Sequence, residues 1–392
     1  MNHLVMDVIE TKRLFSDKYR YVCGPFIAVA ANGDWLLTFN MSVCREEGPY
    51  SPRPWVHPPN DPEYCNYMMR SNDSGQTWGA PRVLPGYEWR GVEHAALSVL
   101  GNGEILASHY QRVFFPLETA MKKQDRYGWN HRPPYPWAVT HGGTYVHRSK
   151  DDGLTWDETV QVDSAPFISA YSPRNIVELQ DGRLLFTAGA ADPMFASPLG
   201  FGKPPNVLKN GLGNRLENGN IVSEPSTVFI CISHDGGHTW KETVEIGRHE
   251  EYYFVEPTMV QAASGRLICH MRNCRQTGHL WQVASDDNGK TWSTPEMTPM
   301  WGYPAHLLKL NDGRIFSVYG HRREPIGIRA CLSEDEGRTW DFENECIIRD
   351  DMVKSGIGFP VSIVLEDDSV FTVYWNEDAD GRTSVEGSHY RV

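Results

Sequence analysis

The feature that most constrains this chain is an eight-residue phrase written five times: SNDSGQTW (71–78), SKDDGLTW (149–156), SHDGGHTW (233–240), SDDNGKTW (285–292) and SEDEGRTW (333–340). Each fits S-x-D-x-G-x-T-W. The chemistry is that of a self-contained turn. The Asp accepts backbone N–H groups, the Gly takes a conformation closed to other residues, and the Trp folds back as an apolar plug. A second pattern runs in phase with the first: an alternating strand, a turn, and a second strand. It appears as FIAVAANGDWLLTF, ALSVLGNGEILASHY, NIVELQDGRLLFTAG, TMVQAASGRLICHMR, HLLKLNDGRIFSVYG and VSIVLEDDSVFTVYW, with turn positions at Gly33, Gly103, Gly182, Gly265, Gly313 and Asp368. By pattern and turn residues each is a β-hairpin.

The first five hairpins are each followed by a box. Two hairpins make one four-stranded sheet, and six such sheets around an axis make a propeller. The expectation is therefore an all-β fold, a six-bladed β-propeller of four-stranded antiparallel blades in a single domain over residues 1–392. The sixth unit lacks a box, which suits ring closure. SVEGSHYRV supplies one of its strands and the stretch near MDVIETKRLF another.

Composition excludes several function classes. The formal charge of −13 is spread along the chain and argues against a nucleic-acid partner, though it leaves room for a locally basic pocket. No run of 18 apolar residues implies a membrane span, and the N-terminus lacks the charged and apolar regions of a leader, so a cytoplasmic location is expected. The 8 cysteines contain no CxxC pair, which gives no support to a zinc or redox site; no metal or other cofactor is expected, and most of the thiols should be buried.

The five boxes resemble the Asp-box repeats of the sialidase (neuraminidase) superfamily, and with the six hairpins the resemblance covers essentially the whole chain. It implies boxes on the face opposite the functional pocket. In each blade the innermost strand begins, and the second strand ends, at one common pole. Nine residues before each turn lie Gly24, His94, Pro173 (with Arg174 beside it), Glu256, Pro304 and Phe359. Seven residues after lie Asn40, Tyr110, Gly189, Arg272, Gly320 and Trp375. These positions, within two residues, are the expected pocket lining, with Arg174, Asn40 and Tyr110 as substrate contacts.

Glu256 and Arg272 fall side by side in blade 4, either as a functional pair or as a structural salt bridge. Their sixteen-residue spacing matches the sialidase blade that carries the acid assisting the nucleophile and one arginine of a carboxylate clamp. In blade 5, His306 sits near the start of the inner strand and is equally readable as a core histidine. His321, Arg322 and Arg323 follow the second strand, and the resemblance implies a second clamp arginine in Arg322 or Arg323. Two departures matter. Cys23 stands where sialidases carry the first clamp arginine, with Arg20 three residues too early, and Phe359 stands where they carry the nucleophilic tyrosine. A phenyl ring cannot attack an anomeric carbon.

What remains is an exo-acting glycoside hydrolase on a terminal sugar, which the arginines allow to be acidic. Glu256 would serve as base or nucleophile, and His94 or Glu93 as the acid, with Glu46 or Glu47 behind them. Long aromatic segments after the second strands of blades 1 and 2 suit stacking on a carbohydrate, or else packing on each other or a homo-oligomer interface. The Gly/Pro/Asn-rich segment 191–220 reads as a lid. Two other classes compete: a non-catalytic carbohydrate-binding propeller, and a polysaccharide lyase or metal-assisted enzyme built on His94, His109 and His306.

Overall fold

The computed structural model describes residues 4–5, 7–43, 61–84, 91–122, 136–167, 170–190, 212–217, 220–225, 227–274 and 278–392. The six turn positions share one geometry. Gly33, Gly103, Gly182, Gly265 and Gly313 have φ between 85° and 93°, a region that favours glycine, and Asp368 takes φ 61° in the sixth turn. The same pair of backbone bonds closes every turn. In blade 1 they are Ala30 N–H to Asp34 O (2.8 Å) and Gly33 N–H to Ala30 O (2.9 Å); in blade 6 they are Leu365 N–H to Ser369 O (2.8 Å) and Asp368 N–H to Leu365 O (3.1 Å).

Each turn joins the inner strand of a blade to its second strand, and the blades are six four-stranded antiparallel sheets. Blade 1 comprises Arg20–Val29, Trp35–Val43, Cys65–Ser71 and Arg82–Val83. Blade 2 comprises Val92–Val99, Ile105–Pro116, Trp137–Ser149 and Glu158–Gln161, and blade 3 Ile176–Glu178, Leu184–Gly189, Val228–Ser233 and Glu242–Gly247. Blade 4 comprises Phe254–Gln261, Leu267–Asn273, His279–Ser285 and Glu296–Trp301, and blade 5 Ala305–Lys309, Ile315–His321, Ile326–Ser333 and Cys346–Met352.

Blade 6 closes the ring as the sequence suggested. Gly358–Val364, Val370–Glu377 and Thr383–Arg391 are joined on the outside by Asp7–Ser16 from the N-terminus, which pairs antiparallel from Asp7↔Arg391 to Ser16↔Ser384. Leu4–Val5 adds parallel to Cys346–Ile347 at the outer edge of blade 5. The first described residues therefore hold two blades from the far end of the chain.

The core lies between blades. Leu106 and Val146 of blade 2 pack with Phe186, Phe229 and Trp240 of blade 3, and Phe39 and Met69 of blade 1 with Val373 and Val385 of blade 6. The box tryptophans fill these interfaces. Trp240 is 1% exposed, and burying a ring of that size stabilises by about 4–6 kcal/mol.

Within each box the serine Oγ accepts from the glycine N–H, from 2.9 Å at Ser71–Gly75 to 2.7 Å at Ser333–Gly337. The aspartate accepts from the threonine N–H and hydroxyl, as at Asp235 from Thr239 (2.9 and 2.7 Å). The boxes also join neighbouring blades. An arginine of the preceding blade donates to a box carbonyl: Arg70 to Asp152 O, Arg148 to Gly236 O, Arg183 to Asn288 O (2.8 Å) and Arg266 to Glu336 O (3.2 Å). Arg314 donates instead to Val392 O (3.4 Å), where blade 6 has no box.

Of the long segments after the second strands, a short helix (Leu117–Lys122) and a hairpin (Leu212–Glu217 with Asn220–Pro225) are described. Most of the expected lid, 191–211, and the blade 1 acids Glu46 and Glu47 lie outside the described residues. No described helix is long and apolar enough to cross a membrane. Cys231, Cys269, Cys331 and Cys346 are buried thiols.

Candidate functional site at the axial pole

The start of the inner strand is irregular in a repeated way. Four inner strands break register, between Cys23 and Phe26, Glu93 and Ala96, Val255 and Thr258, and Gly358 and Val361. At each break one residue takes a left-handed conformation: Gly24 (φ 60°), His94 (62°), Glu256 (50°) and Phe359 (52°). In blade 3 it is Ser172 (52°), one residue before the expected Pro173. Such a conformation costs a non-glycine residue about 1–3 kcal/mol and persists where the surroundings enforce it.

At His94 the enforcing groups are visible. Asn40 Oδ1 accepts from the His94 N–H (3.2 Å), and Asn66 Nδ2 donates to the His94 carbonyl (2.6 Å). Asn40, itself 1% exposed and bonded to Asn66, thus clamps the bulge of the next blade.

Glu256 and Arg272 meet as their spacing suggested. Arg272 Nη1 donates to both Glu256 oxygens at 2.9 Å, with the carboxylate buried and the guanidinium half-buried. Burial works against the Arg272 charge, but Glu256 more than offsets it and raises the pKa. Arg272 lies over the Tyr303 ring at 4.4 Å, and Arg322 over the same ring at 4.9 Å. Burial, and next the like charge of Arg272, pull Arg322 down to about 10. The Nε of each arginine is buried and has no hydrogen-bond partner among the described residues. Two guanidiniums held against one ring, repelling each other and with N–H groups to spare, form an arrangement that an anion between them would relieve.

Arg322 and Arg323 diverge. Arg323 is exposed, stacks over Trp301 at 4.4 Å and donates from Nε to His321 Nε2 at 3.2 Å.

Arg174 reaches across the ring from blade 3. Its Nη2 donates to Pro360 O (3.1 Å) and Ala305 O (3.4 Å), and its guanidinium lies 5.1 Å from both the Phe26 and Phe359 rings. It is 2% exposed, and burial pulls its pKa down to about 10 against the supporting charge of Glu256. His94 stacks on Phe359 (5.7 Å), meets Phe26 edge-on (5.9 Å) and shares a hydrogen bond with Ser172 (3.1 Å). Burial first, then the charges of Arg174 and Arg112, hold His94 far below the usual histidine range. His306, whose Nδ1 accepts from the Ser362 N–H (3.2 Å), is lowered to about 3 by burial and by Arg174. Both imidazoles are therefore neutral at neutral pH.

Glu93 is buried, pairs closely with Arg112 and lies 3.7 Å from His94 Nε2. Arg112 stacks on Tyr110 at 5.2 Å, and Tyr110 meets Tyr171 edge-on at 5.3 Å. Cys23 Sγ lies 3.0 Å from Tyr64 Oη, and burial pushes the thiol up to about 12. His109 does not join His94 and His306; it stacks between His147 (5.0 Å) and Tyr145 (5.5 Å). Among the described residues no group of three His, Cys, Asp or Glu is placed to hold a metal.

Arg112, Tyr303 and Tyr64 were not singled out from sequence. Arg112 lies two residues past Tyr110 and Tyr303 one before Pro304, inside the window counted from the turns. Their importance appears only through partners on distant segments.

A six-bladed ring of this kind, with charged residues gathered at the axial pole, has the architecture of sialidases and related propellers. The family model described as the BNR repeat-like domain matches residues 133–371, and the chain belongs to that family. No curated protein sequence matches the chain. Among solved structures it is similar to a protein of unknown function from Dyadobacter fermentans DSM 18053, at 22% identity over 98% of both chains with TM-score 0.80. It is also similar to a mutant of the NanB sialidase from Streptococcus pneumoniae (14% identity, 99% of this chain and 71% of that one, TM-score 0.61). A third similar structure is the Penicillium chrysogenum α-L-arabinanase complexed with arabinobiose (15% identity, 97% and 98%, TM-score 0.58). At these identities the likeness is one of fold.

Proposed function

We propose that the protein is an exo-acting glycoside hydrolase that binds a terminal acidic sugar at the axial pole, in a cytoplasmic setting and without a tyrosine nucleophile at position 359. The observation that carries this reading is the Arg272–Tyr303–Arg322 arrangement behind which Glu256 sits. Two guanidiniums with unpaired Nε groups suit a sugar carboxylate, and the Tyr303 ring suits a pyranose face. Glu256 is the base or nucleophile. Of the acids weighed from sequence, Glu93 is favoured over His94, whose surroundings oppose protonation.

One observation favours a second reading, a propeller that binds such a sugar without cleaving it. Glu93 and Glu256, the two acids a hydrolase would use, are each taken up in an ion pair with an arginine of their own blade, Arg112 and Arg272. A screen of aryl glycosides and unsaturated uronides against wild type and Glu256→Gln separates the two. The hydrolase reading expects turnover that falls about 10²–10⁴-fold in the variant. Binding with no turnover supports the second reading, and turnover indifferent to Glu256→Gln removes the assignment.

A further inference from the structure

The chain leaves the outer strand of blade 4 at Trp301 and reaches the axial cluster two residues later at Tyr303. The two rings are 6.2 Å apart. From the second strand of blade 5, Arg322 and Arg323 follow one another in the chain and divide between these rings, Arg322 over Tyr303 at 4.9 Å and Arg323 over Trp301 at 4.4 Å. A radial file results, from half-buried Arg272 through Tyr303 and Arg322 to half-buried Trp301 and exposed Arg323.

The outer end of the file is fixed. His321 Nδ1 lies 2.9 Å from the Pro325 carbonyl and donates to it, which leaves Nε2 to accept from Arg323 Nε at 3.2 Å. His321 also meets Trp301 edge-on at 5.6 Å, and Trp301 packs over Gly278, where a Cβ would lie 2.7 Å from the ring. Arg323 makes no ion pair among the described residues, so its two terminal nitrogens carry charge on a stacked, pre-oriented guanidinium at the rim. An arginine in that state binds a carboxylate with less ordering cost than a free surface arginine.

We infer that Trp301 and Arg323 form an outer subsite for the sugar next to the terminal one, and that this second sugar also carries an anionic group. The ligand class is an acidic oligosaccharide running radially outward over blades 4 and 5. The inference rests on the reading above, in which Arg272 and Arg322 take the terminal acidic sugar.

The test is calorimetric titration of the full chain with two length series, N-acetylneuraminate with its α2,8-linked dimer and trimer, and galacturonate with its dimer and trimer. Glu256→Gln, in which the oligomers are bound and not cleaved, is compared with the same protein carrying in addition Arg323→Ala or Arg322→Ala. In whichever series binds, the dimer is expected to bind roughly tenfold tighter than the monomer. Arg323→Ala should reduce that gain to twofold or less and leave monomer affinity unchanged, while Arg322→Ala should weaken the monomer itself. A dimer no tighter than its monomer, or a gain that survives Arg323→Ala, overturns the outer subsite and leaves the terminal site standing. Failure of both series to bind overturns both.

Discussion

The two poles of the ring are built by the same six units and used in opposite ways. At the box pole the same side chains recur, and arginines find a carbonyl of the next blade: Arg70, Arg148, Arg183, Arg266 and, at the boxless blade, Arg314. At the axial pole the same backbone bulge recurs, but its residue changes from glycine to histidine, serine, glutamate and phenylalanine, and Arg174, Arg272 and Arg322 retain unpartnered N–H groups. Repetition serves stability where polar groups can satisfy one another between neighbours. Departure from repetition collects chemistry where six chain segments converge.

The largest effect that would break this contrast is on ring closure. Deleting residues 1–16 removes the outer strand of blade 6 and the edge of blade 5, and is expected to abolish cooperative unfolding altogether. Urea titration followed by tryptophan fluorescence shows this as loss of a single transition, since the segment pairs along blade 6 and also caps blade 5, and a domain's total stability is only about 5–15 kcal/mol. Next, Arg148→Met breaks a buried arginine's links to Gly236 O and Glu104 and should cost roughly 2–4 kcal/mol in the same measurement. Sugar binding at the other pole should be unaffected. A variant that weakened binding as much as folding would show that the poles are not separable.

The remaining effects are confined to acid pH. His306 has a folded-state pKa depressed from 6.5 to about 3, so its contribution is complete above about 6.5 and is lost as pH falls toward 3. Asp287 of the fourth box is lowered from 3.8 to about 2 by the Thr291 hydroxyl first and its N–H second, so its contribution is complete above about 4 and is lost toward 2. His306→Gln should therefore flatten the stability profile between pH 6.5 and 4, and Asp287→Asn only below 4. Denaturant midpoints measured against pH check both, and equal effects in one window would contradict the separation.

Much of the fold was legible because turn chemistry repeats. A glycine followed by a strand, then S-x-D-x-G-x-T-W, fixes a phase from which the bulge residues can be counted; Gly24, His94, Glu256 and Phe359 fall at left-handed positions because each stands the same distance before its turn, at Gly33, Gly103, Gly265 and Asp368. Ser172 was missed by one residue because the blade 3 inner strand is regular only over Ile176–Glu178. The site was legible within a blade, as for Glu256 with Arg272, and not between blades. Nothing in the letters tells Arg322 from Arg323, since the difference is which ring each one covers. Asn40 looked like a ligand contact, and its hydrogen bonds place it under the backbone of His94.

The pairing of Asp7–Ser16 with Thr383–Arg391 also has a consequence during synthesis. The segment is made before its partner, which follows hundreds of residues later, so it must wait through synthesis of the blades between them as an open strand edge. An edge left unpaired for that time invites association with other chains. Its sequence DVIETKRLFS carries Asp7, Glu10, Lys12 and Arg13 on the waiting strand, and charges on an edge discourage that association until Thr383–Arg391 arrives to receive it.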